Sequence, residues 1–139
     1  MNTKKLALSF LAGAVAMTLL GFLWHQVIMS GFYDEQLGDV LRSEPNVAFV
    51  VLGYLVLALL MAYIYPIGYK GGSPTSQGLK FGILMGLIWV LPHGLVYVGV
   101  LNFTLTYTIV DGIWHVVEEG VGGVVIGLLY GTGTEKESD

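Results

Sequence analysis

Four apolar runs, each close to the length of a bilayer crossing, dictate what this chain can fold into. They occupy residues 6–29, 47–65, 79–100 and 105–130. Crossing a hydrocarbon core as a helix takes about 20 predominantly apolar residues. Water is absent there, so a spanning segment must satisfy its own backbone hydrogen bonds, and a helix does. The chain therefore reads as all-α: a single integral membrane domain, residues 1–139, built as a four-helix bundle. With 55% hydrophobic and only 12% charged residues, it is too apolar for a soluble domain of this size.

The same composition removes several functions. A net charge of −4 offers no basic footprint, so no nucleic-acid partner is expected. The absence of cysteine excludes disulfides, thiolate zinc sites, iron–sulfur clusters and thiol nucleophiles. Lys4 and Lys5 followed by Ala14-Val15-Ala16 could suggest a cleaved signal peptide. The apolar run continues unbroken to Met29, however, and reads as an uncleaved first helix.

Cation placement gives the orientation. Lys4, Lys5, Lys70, Lys80 and Lys136 fall on one side of the four spans, and Arg42 alone on the other. The positive-inside rule then places both termini in the cytoplasm, with multi-pass residence in a bacterial inner membrane. The lipid bilayer is the first expected partner. The polar tail 135–139 reads as frayed. Between spans one and two, Phe32, Tyr33, Leu37, Val40 and Leu41 recur at helical spacing, with Asp34, Glu35, Asp39 and Arg42 elsewhere. That pattern predicts a short amphipathic helix in the outer interface, ended by Pro45, with Asn46 capping span two. A lid over a site is the sharper reading of the same segment. The stretch 71–77 reads as a turn cluster.

Span four carries Asp111, His115, Glu118 and Glu119 where lipid disfavours charge. Ionisable groups in a span turn inward and find partners, and by default they mark function. Asp111, His115 and Glu118 share one helix face at i, i+4 and i+7. Glu118 and Glu119 diverge by 100°, so only one of them is expected to face the centre. Counting rise per residue from the ends of the spans places His25 near the outer boundary. His93 and Asp111 follow, then His115 near the middle and Glu118 innermost. Pro92 removes a donor to the Ile88 carbonyl and should kink span three beside His93.

Small residues mark where helices touch in lipid. Gly78, Gly82 and Gly86 recur every four residues in span three, and Gly123 with Gly127 in span four. These stripes fall on or near the faces that carry His93 and Asp111. The bundle should thus have a polar centre formed by His25, His93, Asp111, His115 and Glu118.

Three chemistries suit that centre. Buried carboxylates beside histidines can hold or pass a proton or another cation, and so couple to movement of a small solute. His115-x-x-Glu118 with His93 across the bundle could instead ligate a divalent metal. His93 and His115 could ligate haem iron, a less well-suited reading given the neighbouring acids. Against all three stands a structural role, in which polar groups merely cross-link helices. The chain would then serve as an accessory subunit of a larger complex or as a homo-oligomer. A metal-dependent membrane enzyme is the third reading, whereas a classical hydrolase is not expected, since no serine shares a face with a histidine and an acid.

The chain also resembles a family. Trp24, Phe32-Tyr33 with Gln36-Leu37-Gly38, and Val110-Asp111 with Trp114 are similar to motifs of small four-span bacterial membrane proteins classed as domains of unknown function. The resemblance extends over about residues 21–130. It implies four helices and inner-membrane residence, and carries no activity with it.

Overall fold

The computed structural model describes residues 2–38 and 40–131. Asp39, Lys136 and the tail 135–139 lie outside the described residues. Five α-helices follow in order: α1 Thr3–Phe22, α2 Ser30–Leu37, α3 Val47–Gly68, α4 Pro74–Val100 and α5 Leu105–Gly131. A π-helical turn, Leu23–Ile28, prolongs α1, so the first membrane-length helix runs Thr3–Ile28. With α3, α4 and α5 it makes four helices long and apolar enough to span a bilayer. The expected all-helical membrane bundle is the fold.

Helix ends follow capping chemistry more than the limits of the apolar runs. The Asn2 side chain accepts from Lys5 N at 3.1 Å, which starts α1 ahead of its first leucine. Asn46 caps α3 through Phe49 N at 3.4 Å. Ser73 accepts from Ser76 N at 3.4 Å with Pro74 at the first helical position. The stretch expected as a turn therefore divides. Gly71 and Gly72, at φ of 90° and 95°, make the reversal. The residues from Pro74 onward already belong to α4. Pro92 lies inside that helix, which continues as one element past it.

The loop helix is shorter than its apolar spacing suggests. α2 ends at Leu37, and Val40 and Leu41 lie beyond it in turns that return to the Leu37 carbonyl. Tyr33 is buried, and its hydroxyl points into the bundle. A polar hook therefore fastens α2 to the bundle.

α5 is the hub of the bundle and the most buried of the four spans. Its closest partner is α4, where glycines bring the two backbones together. A Cβ on Gly78 would overlap the Gly123 carbonyl, one on Gly82 the Glu119 carbonyl, and one on Gly86 would meet the His115 carbonyl at 2.6 Å. On the α1 side, Met17 packs over Gly122 and Ile126 over Gly13. Met17, Met61 and Ile126 are fully buried and fill the half of the bundle nearer the termini. Lys5 ties that end by donating to the Tyr130 carbonyl at 2.9 Å. Large apolar side chains such as Phe49, Val100 and Leu19 line the outside, which suits a lipid solvent.

Candidate functional site

The half of the bundle nearer α2 is polar inside. Asp111, in the second turn of α5, is its node. Its Oδ1 accepts from the Tyr33 hydroxyl at 2.8 Å, and that hydroxyl accepts from Trp24 Nε1 at 3.0 Å. Burial and the adjacent carboxylate hold the Tyr33 phenol far above its ordinary range, so it remains a donor. Trp24 also stacks on Trp114 of α5, with ring centroids 4.4 Å apart and planes 1° from parallel. The Trp114 indole N–H, sequestered by that stack, has no hydrogen-bond partner among the described residues.

The π turn brings His25 to the same node. Its Nδ1 lies 2.9 Å from the Gly21 carbonyl, and a carbonyl only accepts, so Nδ1 carries a proton. Its Nε2 faces Asp111 Oδ1 at 3.6 Å. π turns free backbone groups from the α pattern and recur at functional sites. Here the turn aims an imidazole inward from a mainly apolar helix.

One turn deeper, His115 links the node to two further acids. Its Nε2 lies 3.6 Å from Asp111 Oδ2. Its Nδ1 lies 3.4 Å from Glu118 Oε2 and 3.1 Å from Glu119 Oε1. Both glutamates are fully buried. The Tyr54 hydroxyl of α3 interacts with Glu118, while Glu119 Oε2 has no hydrogen-bond partner among the described residues. Glu118 Oε1 and the Tyr54 hydroxyl of α3 crowd the bare Cα of Gly21, which leaves no room for a side chain there. His115, Glu118 and Glu119 each offer a ligand atom, and these lie within 4.8 Å of one another.

The structure thus joins His25, Asp111, His115 and Glu118, and adds two groups to them. Glu119 was expected to diverge from the centre. His115, at i−4 from it and i−3 from Glu118, sits between the two and collects both. Tyr33 enters from the loop, where spacing alone gave it an interfacial place. His93 stays apart. Its ring packs against Trp89 and Tyr97 of its own helix, at 5.9 and 5.4 Å. Trp89 also lies 6.4 Å from His115, so an indole adjoins both imidazoles expected to ligate haem. A metal grouping of His93, His115 and Glu118 is likewise replaced by one in which Glu119 takes the place of His93.

A polar centre of this kind, enclosed by four lipid-facing helices, defines a multi-pass helical membrane protein with ionisable groups inside its spans. The chain belongs to the family described as "Predicted membrane protein (DUF2177)", whose model matches residues 6–128. No curated protein and no solved structure matches it.

Proposed function

We propose that this protein binds a cation at the Asp111–His115–Glu118–Glu119 cluster, within the membrane, and that the binding is linked to passage of a small solute. One observation carries the reading: two fully buried glutamates converge on one imidazole nitrogen, at 3.4 and 3.1 Å. Two neighbouring carboxylates in hydrocarbon are tolerable only if something positive, a proton or a metal ion, lies among them. Among the described residues no lysine or arginine is paired with them.

The approach is one-sided. The His25 side chain retains 27% exposure at the α2 end, whereas Glu118 has none. Towards the termini, the packed Met17, Met61 and Ile126 close the bundle. With Lys4, Lys5, Lys70 and Lys80 on the terminal side, the positive-inside rule places the open end outside and both termini in the cytoplasm of a bacterial inner membrane. The cation then enters from outside by way of His25 and Asp111. Passage onward requires the apolar half to part.

Infrared difference spectroscopy on protein in lipid tests the cation reading. A protonated-carboxyl band that titrates with pH, or that a metal ion displaces, is expected, and Glu118→Gln or Glu119→Gln should diminish it. Two carboxylates that stay ionised at every pH, with no metal taken up, would defeat it. For the coupled passage, proteoliposomes with a proton-sensitive dye should show a flux that Glu118→Gln removes. Equal fluxes would end that part.

A second reading rests on α3, which barely touches α4. The two leave a lipid-facing crevice of about 450 Å³ lined by Phe49, Leu52, Val56, Leu60, Ile88 and Trp89. A helix of a larger complex could seat there. Recovery of a stable partner, lost when Val56 and Ile88 are enlarged to tryptophan, would favour an accessory subunit.

A further inference from the structure

We infer that the cation is a first-row divalent metal ion, held by His115 Nδ1 and by one oxygen each of Glu118 and Glu119. The inference rests on the cation reading above and narrows it.

Geometry comes first. Ligands around a tetrahedral zinc-like ion, with bonds of about 2.0–2.2 Å, stand roughly 3.3–3.6 Å apart. Two of the three edges of such a site are already close to that length: His115 Nδ1 to Glu118 Oε2 at 3.4 Å and to Glu119 Oε1 at 3.1 Å. No ligand atom of the three is more than 4.8 Å from another. Rotation about glutamate side-chain bonds closes the remaining gap.

The tautomer comes second. His115 Nε2 faces the Asp111 carboxylate at 3.6 Å, and with Nδ1 on a metal ion the ring proton would sit on Nε2, directed at that carboxylate. Nδ1 lies within hydrogen-bond distance of Glu119 Oε1 at 3.1 Å, so a proton holds that place in the metal-free chain, and a metal ion would displace it to bind the nitrogen lone pair. Metal-bound histidines commonly give their other N–H to a carboxylate, which fixes the ring and strengthens the ligand. Asp111 fills that role, and Tyr33 and Trp24 fix Asp111 in turn.

Charge comes third. Two glutamates and one divalent ion sum to zero, which suits a site without solvent. One nitrogen and two oxygens favour Zn²⁺, Fe²⁺ or Mn²⁺. Ca²⁺ and Mg²⁺ prefer all-oxygen shells of six or more ligands. The Tyr54 hydroxyl, crowded with Glu118 against Gly21, is the nearest candidate to support a ligand from α3.

The test uses full-length protein purified in detergent, stripped by a chelator, and incubated with Zn²⁺ or with Co²⁺ as a coloured reporter. After desalting, roughly one Zn²⁺ per chain is expected, and Co²⁺ should give the visible absorption of a low-symmetry N/O site. Glu118→Gln, Glu119→Gln and His115→Gln should each weaken affinity at least tenfold, whereas His93→Gln should leave it unchanged. Wild-type protein that takes up neither ion overturns the inference, whether or not any variant folds. Equal uptake by the three ligand variants overturns it too. If metal is refused while the buried carboxyl band still titrates, the proton is the cation and only this narrowing falls. If both fail, the cation reading falls with it.

Discussion

Gly82→Ala is expected to unfold the contact between α4 and α5. The added methyl would overlap the Glu119 carbonyl oxygen and come within 2.7 Å of its carbon and 2.8 Å of Gly120 Cα. All three are backbone atoms, so no rotamer change relieves the clash and the helices must separate. Close approach is what holds helices together where lipid supplies no hydrophobic drive. Overpacking of this kind costs about 3 kcal/mol. The damage also reaches the site, because the displaced backbone is that of Glu119 itself. Wild-type protein should survive mild detergent as a monodisperse species, and Gly82→Ala should lose both that and any bound cation. Gly53→Ala is the control, since a methyl there meets nothing within 4 Å. Equal melting temperatures for Gly82→Ala and wild type would show that the α4–α5 contact is looser than described.

The spans were legible because hydrophobic length is a strong signal with one physical meaning. The ends were less so. Asn2, Ser73 and Pro74 extend helices into polar sequence by capping, which a reading of apolar runs does not register. The loop between α1 and α3 shows the opposite error. Apolar spacing from Phe32 to Leu41 suggested a helix of that length, and it stops at Leu37. Spacing states which residues could share a face and is silent on whether the segment has anything to pack against.

Within the site, the face of Asp111, His115 and Glu118 followed from 100° steps along a single helix. What crosses between helices did not. The π turn shifts His25 and Trp24 by an extra residue, and α-helical counting cannot foresee that shift. His93 lay at a suitable depth and on the glycine side, yet its ring turned to Trp89 and Tyr97 on its own helix. Depth fixes one coordinate of three. Glu119 could have been recovered from the sequence, since i,i+4 pairing with His115 was open to it. The assumption that the centre admits only one direction concealed it.

Asp111→Ala should release α2 and loosen the whole α2 end of the bundle. The carboxylate accepts from Tyr33, and both His25 and His115 direct a ring nitrogen at it. Removing one partner of a buried charged network costs about 3–5 kcal/mol, since the groups left behind stay desolvated. Beyond the Tyr33 hook, α2 is tied to the start of α5 by a hydrogen bond from Thr104 Oγ1 to Gln36 Oε1. Hydrogen exchange along 30–38 should therefore rise sharply in Asp111→Ala, while the terminal half, packed on Met17 and Ile126, changes little. A double-mutant cycle isolates the hook. Tyr33→Phe alone should cost roughly 1.5–3 kcal/mol, the range for a hydrogen bond to a charged acceptor. In the Asp111→Ala background it should cost only the hydrogen bond accepted from Trp24, about 1 kcal/mol. Asp111→Asn keeps an oxygen for Tyr33 but ends the carboxylate contact with both histidines. It should retain α2 protection while weakening cation binding at His115. Additive costs across the cycle would mean that Tyr33 and Asp111 do not speak to each other, and the chain of contacts from the loop to the glutamates would lose its first link.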